Sequence, residues 1–143
     1  MTTNPGQFPV GIIEGFFGIP WDWSARHAAV DLLGTMAESF YIYAPKADGF
    51  LRRRWREPIP DSTRTHLHVL SDHCRARGVA FGIGLTPYEI YLDYDQKARE
   101  ALKRKVVEVN TLGATWLAVL FDDMRGDVDD IAALQARVLA DGP

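Results

Sequence analysis

Cysteine is nearly absent. Cys74 is the only one in 143 residues, so no internal disulfide can form, and such usage fits a reducing compartment. Long apolar runs are also missing: the longest, 116–121, is far too short to cross a bilayer. Residues 1–10 hold no Lys or Arg and no extended apolar stretch. No secretory signal is read there, and a cytoplasmic location is expected. A strong charge of either sign is lacking. Sixteen Lys and Arg against 19 Asp and Glu leave a net charge of −3, which gives no general pull toward nucleic acid or an anionic membrane. There is no linker, low-complexity tract or internal repeat, and the first strand-to-helix turn lacks the glycine pattern of a dinucleotide site. His27, His66, His68 and His73 match no standard zinc spacing and are read as surface residues of helices.

What remains is an alternation. Four short β-branched or aromatic runs, 9–14 (PVGIIE), 39–44 (SFYIYA), 79–85 (VAFGIGL) and 115–121 (TWLAVLF), predict strands. Their near-continuous apolar character suits parallel strands covered on both faces. Between them lie segments of helical spacing. Ala25, Ala28, Ala29, Leu32, Leu33 and Met36 form one stripe, with Asp22 or Ser24 as N-cap; Leu67, Leu70 and Cys74 form a second, closed by Gly78. A third runs from Ala98 to Leu112 through Lys105, whose stem is expected to pack while its head snorkels, between Asp95 and Gly113. Ile131, Leu134, Val138 and Leu139 mark a fourth, with Asp129 or Asp130 able to cap it. The fold class is α/β, a (βα)₄ unit with parallel strands. Two architectures compete: a small doubly wound sheet, and the first half of a TIM (β/α)₈ barrel, which needs roughly 250 residues when complete.

The chemically unusual residues follow the strands. EGFFGIPW follows the first, PKAD and then RRRWREP the second, TPYE the third, and Asp122-Asp123-Met124-Arg125-Gly126-Asp127 the fourth. All four would share the C-terminal rim where barrel enzymes build active sites. Adjacent carboxylates at a strand's end repel, which can keep one protonated as an acid beside an ionised neighbour. Both could face one ligand only where the strand turns irregular, since successive residues of a regular strand point apart. Taken on composition alone, solvation and helix capping are the favoured reading of the acidic stretch. Lys46 could meet sugar hydroxyls or pair with a carboxylate such as Asp48. Gly15 and Gly18 permit close backbone approach or positive φ, or simply a turn. RRRWRE reads as a loop ion-paired through Glu57 rather than a nucleic-acid patch, and Cys74 as core.

In order and spacing, GIIEGFFGIPW, YIYAPKADGFLRRRWREP and LAVLFDDM resemble glycoside hydrolase family 84, over about residues 11–124. That family contains the O-GlcNAcases and bacterial hyaluronidase-like β-N-acetylglucosaminidases. The resemblance implies a partial catalytic domain over 1–143, the first half of the barrel, whose later strands would complete the sugar pocket. It implies a retaining, substrate-assisted mechanism with no cofactor and no metal. In that mechanism Asp122 matches the residue that orients the substrate's acetamido group, and Asp123 the general acid/base. Gly15 matches a glycine whose carbonyl meets a sugar hydroxyl, and Lys46 a lysine that binds hydroxyls of the same ring. The partner would be an N-acetylglucosamine-containing glycan or glycoprotein. Ala47, Leu51, Ser39 and the segment GLTPYEIYLD depart from the family pattern and leave the aglycone open. Two other classes stay in view. One is a non-catalytic sugar-binding half-barrel forming a homodimer through its open edges. The other is a metal-dependent phosphate enzyme using the acidic cluster.

Overall fold

A computed structural model describes residues 8–122 and 125–141. In chain order the elements are β1 (Val10–Glu14), α1 (Trp23–Leu33), β2 (Ser39–Tyr43), a 3₁₀ turn (Gly49–Leu51), α2 (Asp61–Ala76), β3 (Val79–Leu85), α3 (Gln96–Asn110), β4 (Trp116–Val119) and α4 (Ile131–Asp141). The strands form one parallel sheet in the order β1-β2-β3-β4. A doubly wound sheet would reverse its strand order and carry helices on both faces. Here each strand lies beside its sequence neighbour, and the helices share one face, as in half of a barrel.

That face holds the core. Ile12, Tyr41, Phe81, Ile83, Leu85 and Leu117 from the strands pack with Val30 and Leu33 of α1, Leu67, Leu70 and Cys74 of α2, and Ala98, Leu102 and Val109 of α3. Burial pushes the Cys74 thiol up to about 12, so it packs as a small apolar group. The alternate residues form the inner face, where small and large side chains interlock. The Phe40 ring fills the place a Cβ on Gly11 would need, and Gly84 lies against the Ala44 methyl. Phe40 and Trp116 bring their rings to 5.2 Å. Among the described residues no helix covers this face: Ile13 is 55% and Trp116 40% exposed.

Helix boundaries follow the expected chemistry. The Asp22 carboxylate accepts from Ala25 N at 2.7 Å and that of Asp95 from Ala98 N at 2.8 Å, each satisfying an otherwise orphaned donor. Gly78 and Gly113 leave α2 and α3 at φ of +70° and +83°, which favours glycine. Four details differ from the sequence expectation. The buried stripe of α1 is Arg26, Val30 and Leu33, with Leu32 and Met36 exposed; Arg26 turns inward because Glu14 waits there. Lys105 does not snorkel. It is buried and gives its ammonium to the Glu57 carbonyl at 2.8 Å and to Glu108 at 3.2 Å. His27 and His73 are half-buried against each other, rings 4.7 Å apart, rather than at open surface. Regular pairing of β4 ends at Val119, not at 121.

Candidate functional site

The C-terminal ends of the strands gather the unusual residues. β1 ends in Glu14, fully buried beneath the sheet. Its carboxylate accepts from Arg26 Nε at 2.9 Å, from Arg26 Nη2 at 2.9 Å and from the Tyr41 hydroxyl. Burial alone would lower the Arg26 pKa, and Glu14 more than offsets it. The guanidinium also lies over the Trp23 ring at 4.3 Å. Burial, with the neighbouring carboxylates, pushes the Tyr41 and Tyr43 phenols well above their ordinary value. Sequence reasoning missed this network. The signal was a glutamate closing an otherwise apolar strand, with Arg26 at helical spacing inside the α1 stripe.

Above it, Gly15 turns the chain by donating to the Ile13 carbonyl at 2.9 Å. Of the two glycines in EGFFG only Gly18 has positive φ, +102°. Around Gly15 no atom lies closer than 3.6 Å to a notional Cβ, so its backbone is open to approach. After β2, Asp48 is occupied: it accepts from the Tyr43 hydroxyl at 2.7 Å and from Phe50 N at 3.1 Å. Lys46 takes a carboxylate, one of the partners open to it, by reaching across the sheet to Asp122. Asp122 sits in a turn three residues beyond β4, with the strand regularity already lost. Its Oδ2 meets the Lys46 ammonium and its Oδ1 accepts from the Thr86 hydroxyl at 3.3 Å. Asp123 lies outside the described residues. Thr86, from the TPYE segment expected on this rim, follows β3 directly.

The arginine-rich segment is tied to the same rim. Trp55 is buried and donates from Nε1 to the Tyr88 carbonyl at 3.1 Å, while Thr86 N donates to the Leu51 carbonyl at 2.9 Å. Arg54 pairs with Glu57 at 2.6 Å, as expected of that loop. A cavity of about 450 Å³ lies at the opposite, N-terminal end of the sheet, lined by Ser39, Val79, Phe81 and Trp116. At the rim, Asp122 borders only a crevice of about 10 Å³. Among the described residues the Lys46–Asp122 pair forms a shallow shelf, its side chains 14% and 32% exposed. Among the described residues no group of three or more His, Cys, Asp or Glu could hold a metal ion, and no helix is long and apolar enough to cross a membrane.

Parallel βα units in sequential order, with a lysine and a carboxylate facing each other across their strand ends, define half of a (β/α)-barrel of the kind whose rim carries the chemistry. A family model for beta-N-acetylglucosaminidase matches residues 10–141, and the chain belongs to that family. It is 31% identical over 118 residues to protein O-GlcNAcase of Rattus norvegicus and to that of Mus musculus. Each match covers 82% of this chain and 13% of the relative. The solved structure of CpGH84B superposes with a TM-score of 0.82 at 28% identity, over 91% of this chain and 23% of that one. The chain therefore spans a small part of the length of these relatives.

Proposed function

We propose that this chain supplies the catalytic half of a retaining β-N-acetylglucosaminidase that releases terminal β-linked N-acetylglucosamine. The Lys46–Asp122 pair carries the reading. Lysine and the Thr86 hydroxyl fix the Asp122 carboxylate from two sides, so an acetamido N–H entering from the shelf meets a preorganised acceptor. Asp122 then turns the acetamido oxygen toward the anomeric carbon. The new C–O bond forms as the bond to the leaving oxygen breaks, and Asp123 gives that oxygen its proton. The product is an oxazoline, its N–H proton passed to Asp122, which returns it when the ring reopens. Asp123, now a base, takes a proton from water as the water attacks the anomeric carbon and opens the ring with net retention. This differs from the two-carboxylate nucleophile scheme and needs no cofactor. Gly15 and Lys46 hold the sugar's hydroxyls. The shelf is open, so turnover needs the remaining βα units to close it.

The test uses a longer chain carrying those units. Asp123→Ala is expected to cost roughly 10²–10⁴-fold on an alkyl glycoside and much less on an aryl glycoside with a good leaving group. Asp122→Ala is expected to hurt both alike. Equal losses on both substrates for Asp123→Ala would contradict the acid role. The uncovered inner face with Ile13 and Trp116 favours a second reading, a self-associating half-barrel that binds the sugar without cleaving it. An inactive longer chain that still binds N-acetylglucosamine would select it.

A further inference from the structure

The arginine run after β2 is only partly explained by the ion pair of Arg54 with Glu57. Arg52 and Arg53 turn the other way, toward the shelf. The Arg52 guanidinium stands 5.9 Å from the Phe17 ring centroid and 5.9 Å from that of Tyr88, and the Arg53 guanidinium 5.2 Å from that of Tyr88. Lys46 Nζ lies 5.6 Å from the other neighbour, Phe17. These contacts close a circuit: Lys46, Phe17, Arg52, Tyr88, then through Thr86 to Asp122 and back to Lys46. Arg53 sits on the outer side of that circuit, exposed, and makes no ion pair among the described residues.

We propose that Arg53, with Arg52 behind it, forms a leaving-group subsite that selects acidic polypeptide: a glycosylated segment with Asp or Glu beside the sugar-bearing residue. The inference rests on the function proposed above and names its substrate class. Three features support it. The subsite begins one side chain away from the Lys46–Asp122 pair, at Phe17, so the residues flanking a sugar held there lie within reach of the two guanidinium groups. The Tyr88 ring already receives two guanidinium groups, so the mouth offers N–H donors rather than a bare aromatic platform for a second sugar. A planar guanidinium fork matches a carboxylate in two hydrogen bonds.

The experiment titrates the ¹⁵N-labelled longer chain, carrying the remaining βα units, with three synthetic peptides, followed by amide shifts. One carries N-acetylglucosamine on serine with acidic flanks, one carries the sugar with Asn and Gln replacing the acids, and one is acidic without sugar. The acidic glycopeptide is expected to bind roughly two- to fivefold tighter than the neutral one, the worth of an exposed ion pair. The preference should fade at high salt. Arg53→Gln should remove it and leave binding of the neutral glycopeptide unchanged; Arg53→Glu should reverse it. Equal binding of both glycopeptides at Lys46 and Asp122 would overturn the subsite and leave the sugar reading intact. Binding of the sugar-free acidic peptide as tight as its glycosylated form, or tighter binding of a short single-stranded oligonucleotide, would also overturn it. If neither glycopeptide shifts the residues around Lys46, the sugar reading and the subsite fall together.

Discussion

Glu14 and Arg26 are a buried charge pair completed by a phenol. Removing one partner leaves the other charged and desolvated. Glu14→Ala is expected to cost about 3–5 kcal/mol. Tyr41→Phe removes one hydrogen bond to that carboxylate and should cost about 1.5–3 kcal/mol. Urea denaturation followed by circular dichroism measures both; a Glu14→Ala loss below that of Tyr41→Phe would show that the pair contributes little. Because Glu14 directly precedes Gly15, the same variant should also loosen the first rim turn. The sequence disclosed the rim residues and not this network. Lys46 and Asp122 stand out as charged groups that end apolar runs, whereas a buried glutamate declares itself only through its partners. Arg26 comes from a helix and Tyr41 from another strand, and no local pattern relates them. The pairing of Lys46 with Asp122 rather than Asp48 was hidden for the same reason: Asp48 is taken by Tyr43, a contact that depends on the loop's path.

At the scale of the strand, the inner face is set by where side chains are missing. A methyl on Gly84 would come within 2.5 Å of the Ala44 Cβ, and an alanine methyl cannot rotate away. Gly84→Ala must therefore push β2 and β3 apart, at an expected cost of about 1–3 kcal/mol. Gly49→Ala, with no contact nearer than 3.8 Å, serves as the control and should be nearly neutral; equal melting temperatures for the two would refute the packing argument. Element types and order were legible because each strand is a dense apolar run and each helix has its own cap or closing glycine. The stripe of α1 was less so. Alanines at positions 25, 28 and 29 fit more than one helical face, and a buried arginine was the true marker. The end of β4 was misplaced because apolar residues continue to Phe121 after pairing has lapsed, and that lapse frees Asp122 to turn toward Lys46.

For the molecule as a whole, β1 and β4 are edge strands among the described residues, each with a row of backbone groups that a further strand could use. With the inner face uncovered as well, the chain is expected to self-associate. Sedimentation velocity over a concentration series should show growth beyond the monomer mass; a single monomeric species throughout would count against it. Sequential strand order has another effect. Each of β2, β3 and β4 finds a partner in the strand just before it. Nothing made early must wait for a distant segment in order to pair. Such a chain can settle stepwise as it leaves the ribosome, N-terminal units first. Each new βα unit is laid on the one before, and the rim residues gather only when β4 arrives and brings Asp122 to Lys46.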